Sequence, residues 1–139
     1  MREVACAILV RDGTLLLGRR SPHRRSYASC WDVIGGHLEG AERPEDALVR
    51  EVREEVGVTP TGFIPIGGFV ESSPEVGPGR LHFFVITEWA GGDPEMRGDV
   101  HTELRWFDVE TACALPDLAL PQYRSIFRSL EGIVTACTG

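Results

Sequence analysis

The sequence lacks two features that would indicate a membrane protein or a binder of nucleic-acid polymers. It has no apolar run approaching the roughly 18 residues of a membrane-spanning helix. It also has no basic excess, since 14 arginines and no lysines face 21 acidic residues and give a net charge of −7. Such a chain has little means of neutralising phosphates in bulk. Binding to nucleic-acid polymers or to anionic membranes is therefore not expected.

Targeting signals and metal-binding cysteine motifs are also missing. Cys6, Cys30, Cys113 and Cys137 show no C-x-x-C spacing, which favours free thiols over zinc ligands. The N-terminus leads directly into a strand pattern without a signal peptide, so we expect a cytoplasmic protein. A chain of 139 residues, 42% of them hydrophobic, without repeats or linkers, predicts a single domain over 1–139. We expect it to act on small molecules, as a monomer or a homodimer.

Alternating apolar residues predict a mostly β framework. Strands are expected at 4–10, 14–17, 31–34, 63–70, 81–89 and 103–107, with the first two joined by an Asp12-Gly13 turn. Helical spacing over 123–130, between Pro121 and Gly132, predicts a helix near the C-terminus. Two stretches rich in Gly and Pro, 72–80 and 91–101, are long enough for loops that act as lids.

A second helix is predicted from Pro44 to about Val56. Pro44 suits the first helical position, and Gly57 is a natural residue just beyond the helix end. Its apolar residues lie on one stripe, which predicts packing against a sheet. Two helices on a mixed β-sheet make an α/β fold, a three-layer α/β/α sandwich.

Glu51, Glu54 and Glu55 fall within one turn of that helix. Like charges at this spacing repel one another, and a hard divalent cation such as Mg²⁺ or Mn²⁺ would convert the repulsion into a binding site. A solvated helix face balanced by Arg50 and Arg53 is the alternative reading of the cluster. Arg50 is also spaced to form a two-point ion pair with Glu42, which would brace the preceding loop against the helix.

The segment from Gly36 to Val58 resembles the box of the Nudix hydrolases, G-x5-E-x7-R-E-U-x-E-E-x-G-U, where U is aliphatic. All of its positions are filled, by Gly36, Glu42, Arg50, Glu51, Val52, Glu54, Glu55, Gly57 and Val58. The resemblance implies a Nudix-type sandwich and metal-dependent hydrolysis of a nucleoside diphosphate linked to a further group. It adds the Gly36 carbonyl to the metal ligands Glu51, Glu54 and Glu55. It also makes Arg50 part of the catalytic set, with Glu54 or Glu103 as the general base.

Substrate contacts are less well defined by the sequence. A basic segment before the glycine turn, containing Arg19 and Arg24, either overhangs the site and binds phosphates or forms a solvated loop. The aromatic residues within strands favour core positions over stacking on a base; they are Trp31, Phe83, Phe84 and Trp106.

Three functions stay open at this point. The short chain is similar to Nudix enzymes that cleave nucleoside triphosphates, including oxidised ones, to monophosphate and pyrophosphate. Pro74 lies about 16 residues after the box, a position typical of ADP-ribose pyrophosphatases of the family. The third possibility is a domain that senses a nucleotide without hydrolysing it. Such domains often lose box carboxylates, and all of them are kept here.

Overall fold

The computed structural model describes residues 1–73 and 77–136. The strands are β1 (Arg2–Arg11), β2 (Thr14–Arg20), β3 (Trp31–Asp32), β4 (Ile34–His37), β5 (Thr59–Ser73), β6 (Gly77–Ala90) and β7 (His101–Phe107). The helices are α1 (Pro44–Val56), α2 (Val109–Ala114), α3 (Tyr123–Ser129) and α4 (Glu131–Ala136). In the described part of the chain, no helix is long and apolar enough to cross a membrane.

The strands form the predicted mixed sheet. Strand β1 pairs with β6 in parallel and with β4 in antiparallel orientation, and β5 pairs with the outer side of β6. The end of β1 continues into a hairpin with β2, which in turn pairs with β3 and β7. Asp12 and Gly13 connect β1 to β2 with φ angles of 54° and 76°. Positive φ at both turn residues is the requirement of a tight hairpin turn, and Asp-Gly meets it.

Alternate residues of β1 serve two separate cores, which confirms the three-layer sandwich. Cys6, Ile8 and Val10 pack in the core beneath α2, α3 and α4. Ala5, Ala7 and Leu9 face the other side, where α1 contributes Leu48, Val52 and Val56. Because successive side chains of a strand point to opposite faces, β1 is the central strand buried on both.

Several element boundaries differ from those predicted. The strand expected at 31–34 is two short strands, because Trp31–Asp32 pairs with β2 whereas Ile34–His37 pairs with β1. The C-terminal helix ends at Ser129, and Gly132 lies inside a further helix, α4. The predicted loop at 72–80 is wrong for its described residues, since β5 runs to Ser73 and β6 begins at Gly77. Pro74 lies outside the described residues.

Candidate active site

Helix α1 carries the carboxylates and has well-defined ends. Pro44 occupies its first turn, and the Asp46 carboxylate accepts a hydrogen bond from the backbone N–H of Arg43 at 3.4 Å. Gly57 ends the helix in the left-handed conformation, with φ 74°. The helix therefore begins and ends where the sequence predicts, and its buried stripe fixes the direction in which the acidic residues face.

The Glu55 carboxylate is almost fully buried. Glu55 is 6% exposed, and its Oε2 accepts a hydrogen bond from the backbone N–H of Gly35 at 2.8 Å. Burial raises the pKa of Glu55 to about 8, and the negative charges of Glu51 and Asp32 act in the same direction. A buried carboxylate that is short of positive charge is a favourable ligand for a cation.

Glu51 lies directly over Gly36. A Cβ atom at position 36 would be 2.4 Å from the Glu51 carboxyl carbon and 2.6 Å from both of its oxygens. Glycine is therefore the residue that lets the backbone of β4 and this carboxylate come together. Burial raises the pKa of Glu51, although the neighbouring Arg50 opposes that effect.

Arg50 forms the two-point ion pair with Glu42. Its Nε and Nη2 donate to the two Glu42 oxygens at 2.8 and 2.9 Å, and Nη2 also donates to the His37 carbonyl at 3.0 Å. The hydrogen bonds from Arg50 lower the pKa of Glu42 to about 2. On its other side, Nη1 lies 2.9 Å from Glu51 and 3.2 Å from Glu54. One guanidinium thus connects the loop before α1 to two carboxylates of the helix.

A cavity of about 310 Å³ opens beside these carboxylates. Gly35, Gly36, Glu51 and Glu55 line one part of it. The rest is lined by residues from β1, β2, β3, β5, β7 and α3 and from the segment that follows β2; they include Arg2, Val4, Cys6, Arg20, Arg24, Tyr27, Asp32, Glu71, His101 and Tyr123. The cavity is acidic at the α1 end, and it has arginines and apolar groups within reach.

Several residues proposed from the sequence do not line the cavity; they are Arg19, Glu42, Arg50, Glu54 and Glu103. Arg19 donates to Asp117 at 2.9 Å and to the Ser29 carbonyl at 3.1 Å, so its guanidinium fixes local backbone. Glu103 lies on β7 in an ion pair with Arg105 and is likewise absent from the lining residues. Arg24 does line the cavity, as the interpretation of an overhanging basic segment required.

The remaining expectations concern Glu54 and the aromatic residues. The Glu54 side chain is 58% exposed and touches Arg50, on the solvent side of Glu51. The core assignment holds for Trp31, Phe83 and Phe84, which are 3%, 1% and 3% exposed. Trp106 stacks on Trp89 at a centroid distance of 6.2 Å and packs against the core beneath α1.

Two buried networks in the cavity wall were missed by the sequence reasoning. In one, Asp32 accepts hydrogen bonds from Tyr123 and Arg20. In the other, Glu71 accepts them from Arg2 and Tyr27. The partners of these carboxylates come from up to 91 residues away in the sequence. No local spacing motif signals such pairs, so only the folded chain shows them.

The segment 91–100 caps α1 and is not a free lid. The backbone N–H groups of Glu95 and Arg97 donate to the carbonyls of Val56 and Glu55 at 3.0 and 2.9 Å. These carbonyls belong to the last turn of α1, which has no partners of its own for them. The segment then reaches Val100, whose carbonyl accepts a hydrogen bond from the Ser21 backbone at 2.8 Å. It therefore links the end of α1 to the cavity wall.

The donor set of the α1 end fits a hard cation in its chemistry. Within residues 1–73 and 77–136, no three His, Cys, Asp or Glu side chains already converge as a metal cluster. The box groups available there, the Glu51 and Glu55 carboxylates and the Gly36 carbonyl, are nonetheless oxygen donors, and burial raises the pKa of both Glu51 and Glu55. A divalent cation would supply the positive charge that these groups lack.

Comparison with known proteins gives a consistent result. A sequence model described as NUDIX domain matches residues 1–130. The chain is 35% identical over 119 residues to the CTP pyrophosphohydrolase of Escherichia coli K12, covering 84% of this chain and 82% of that protein. It is 36% identical over 129 residues to the NAD-capped RNA hydrolase NudC of Pseudomonas putida W619, covering 93% of this chain but 43% of NudC.

Solved structures show the same fold. The solution structure of the E. coli ORF135 protein superposes with a TM-score of 0.78 at 29% identity, covering 98% of this chain and 92% of that one. The crystal structure of a MutT NUDIX hydrolase from Burkholderia pseudomallei superposes with a TM-score of 0.79 at 26% identity, covering 91% and 95%.

Proposed function

Because this chain belongs to the NUDIX domain family and its relatives are pyrophosphohydrolases, we propose that it cleaves nucleoside triphosphates to nucleoside monophosphates and pyrophosphate. The choice of nucleoside triphosphates as substrates is more specific than the family assignment. One relative matched over most of both chains, the CTP pyrophosphohydrolase, is named for a nucleoside triphosphate, which supports this class. We further propose that the enzyme acts in the cytoplasm.

The observation that carries the proposal is the continuous cavity between the α1 carboxylates and the buried networks. Arg24 lines the cavity together with Glu51 and Glu55, so an arginine that would bind phosphate and carboxylates that would bind metal share one space. The same cavity has an apolar wall that includes Val4 and a buried polar wall beyond it. Such a shape suits a molecule with a phosphate chain at one end and a base at the other.

The metal would be held by Glu51, Glu54 and Glu55 with the Gly36 carbonyl, and Mg²⁺ or Mn²⁺ suits this oxygen donor set. When bound, the cation would neutralise charge on the departing phosphate and orient the attacking water. The close contact of Glu51 with Gly36 supports this assignment, because it puts the carboxylate against the backbone that would share the ion. Glu55, held by the Gly35 N–H, is fixed on the same side.

The other box residues position these groups and accept a proton. Arg50 holds Glu51 and Glu42 at once, so it orients the metal ligands relative to the β4 turn. For the general base we favour Glu54 over Glu103. Glu54 shares the Arg50 contact with Glu51, one of the proposed metal ligands, whereas Glu103 is paired with Arg105 on β7 and contacts none of the α1 carboxylates.

The test is a product screen with purified protein, using Mg²⁺ and Mn²⁺ in parallel. Canonical and oxidised nucleoside triphosphates, ADP-ribose and dinucleoside polyphosphates would each be incubated, and the products separated by chromatography. Monophosphate and pyrophosphate from a triphosphate are the expected result. AMP and ribose 5-phosphate formed from ADP-ribose alone would replace the proposal by the ADP-ribose alternative. Nucleotide binding without turnover of any compound would indicate a sensor.

A further inference from the structure

Glu71 is a buried carboxylate in the cavity wall, apart from the box. Its side chain is 6% exposed. Oε1 accepts a hydrogen bond from Arg2 at 2.9 Å, and Oε2 accepts one from the Tyr27 hydroxyl at 2.9 Å. A carboxylate oxygen can accept two hydrogen bonds, so these two contacts leave further acceptor capacity on both oxygens.

The fold is arranged to hold Glu71 in this place. Arg2 on β1 reaches Glu71 on β5 by crossing the intervening strand at Gly79. A Cβ atom at Gly79 would lie 2.7 Å from the Arg2 guanidinium, so a larger residue would block this path. Arg2 also donates to the Gly77 carbonyl at 3.1 Å. Strands β1, β5 and β6 and the Tyr27 segment therefore all contribute to the position of one carboxylate.

Glu71 lies across the sheet from the α1 carboxylates. Strand β5 is separated from β4, which carries Gly36, by β6 and β1. Three strand spacings amount to about 14 Å. The side chains of Val4 and Cys6, on one face of β1, line the cavity between the two ends. A nucleotide with its phosphates near Glu51 would thus extend its base over this apolar floor towards Glu71.

A second buried carboxylate makes the same wall rich in acceptors. Asp32 accepts hydrogen bonds from Tyr123 and from the Val33 backbone through Oδ1, and from Arg20 at 3.3 Å through Oδ2. Oδ2 keeps acceptor capacity beyond this one contact. Acceptors in a buried wall favour a ligand that offers N–H donors, and they disfavour a carbonyl oxygen at the same point.

We infer that Glu71 is a specificity-determining residue, which accepts a hydrogen bond from an amino group on the nucleobase and discriminates against bases with an oxo group there. The inference rests on the proposed triphosphate activity and adds the class of base. Cytosine, adenine and guanine all carry an amino group, whereas uracil and hypoxanthine do not. The ionised carboxylate offers acceptors only.

The first measurement needs no variant. Values of kcat/KM would be compared for CTP against UTP and ATP against ITP, where an oxo group replaces the amino group, and for GTP against ITP, where hydrogen replaces it. Loss of a hydrogen bond in a buried site predicts a preference of about tenfold or more for the amino compound in at least one pair. The pair that responds identifies the base. Equal values within all three pairs would overturn the inference.

The second measurement uses Glu71→Gln, whose amide can donate as well as accept. The preference for the amino compound should fall by about tenfold or more, because the amide N–H can now pair with an oxo group. A merely structural role would lower both members of a pair equally and leave their ratio unchanged. The matched control is Glu3→Gln, since Glu3 is an exposed β1 carboxylate paired with His82 that does not line the cavity. Its ratio should equal that of the wild type.

The two proposals fail in different ways. If triphosphates are cleaved but the Glu71→Gln ratio equals the wild-type ratio, the base contact is wrong and the activity stands. If no triphosphate is cleaved, the proposed activity is wrong. The base contact is then tested by calorimetric binding of CMP, UMP, AMP, GMP and IMP, where tighter binding of an amino compound than of its oxo or deaminated partner supports it and equal binding overturns it.

Discussion

Substituting Gly36 by Ala should disable the enzyme while leaving its fold intact. The added Cβ would lie 2.4 Å from the Glu51 carboxyl carbon, against about 3.4 Å for an ordinary contact. The carboxylate must therefore retreat by about 1 Å, and a displacement of that size in an active site costs about 10²-fold in rate. Gly36 does not have a positive φ, so alanine brings no backbone strain.

The stability cost should be small by comparison. The atoms in the way are the end of a flexible side chain that is 16% exposed and can shift towards its Arg50 partner. We expect the unfolding free energy without metal to change by less than about 1 kcal/mol. Gly35→Ala makes the contrast, because a Cβ there would lie 2.0 Å from the Ala5 carbonyl oxygen at a φ of 150°. That variant should lose several kcal/mol of stability, on the order of other buried backbone clashes.

The assay measures kcat/KM over a Mg²⁺ titration and urea unfolding in EDTA. Gly132→Ala serves as the matched control, since no atom lies within 4 Å of its added Cβ and the residue is in α4. This control should keep wild-type activity and gain up to about 1 kcal/mol of stability from the removal of a helical glycine. Wild-type activity in Gly36→Ala would refute the idea that the position of Glu51 over Gly36 matters for the chemistry.

Three further predictions follow from the site. Arg50→Lys and Glu42→Gln should each lower kcat/KM, because each change weakens the two-point contact between these side chains. The double variant should be hardly worse than either single variant, and multiplicative losses would show that the two residues act independently. Mg²⁺ should raise the melting temperature of the wild type but not that of Glu55→Gln, and equal Mg²⁺ shifts would contradict the metal assignment. In EDTA, Glu55→Gln should melt no lower than the wild type, because glutamine resembles the protonated form of a carboxyl whose pKa is about 8. Burial lowers the pKa of His101 in the folded protein to about 4, whereas its pKa in the unfolded chain is near 6.5. As the pH falls, the unfolded chain therefore binds the proton first, and the stability that neutral His101 contributes is fully present only above about pH 6.5. The unfolding free energy should fall by about 1 kcal/mol between pH 7 and pH 5.5. Urea unfolding of His101→Asn should lack that loss, and an unchanged pH slope would refute the assignment.

The parts of the fold that the sequence predicted correctly depend on local chemistry. Pro44 and Gly57 mark the ends of α1 because their backbone preferences act within one turn. The Asp12-Gly13 turn and the alternation along β1 are equally local. Errors arose where tertiary contacts override local preference. Gly132 discourages a helix, yet it lies in α4, whose Val134 is buried in the core.

The candidate site likewise has contacts that the sequence predicted and contacts that it did not. The contact between Arg50 and Glu42 spans eight residues and could be anticipated from the spacing. Glu71 and Asp32 depend on partners 69 and 91 residues away, so no sequence pattern announces them. The sequence gives no reason to prefer Arg19 or Arg24 as a phosphate-binding residue. Only the folded chain shows that the Arg19 guanidinium pairs with Asp117. The pairing of Glu103 with Arg105 is local, because residues two apart on a strand share a face, but its place outside the cavity lining needed the fold.

The two faces of β1 separate the residues of the proposed hydrolysis from the residue of the proposed base contact. The box carboxylates belong to α1, which covers one face, while Glu71 lies with Arg2 and Tyr27 in the cavity wall beyond the other. Both groups face the same cavity, whose α1 end is open at β4 because Gly35 and Gly36 carry no side chains there. If Glu71 contacts the base as proposed, substitutions in this wall would change the preferred base without touching the carboxylates of α1. The same scaffold could then serve different substrates through single substitutions.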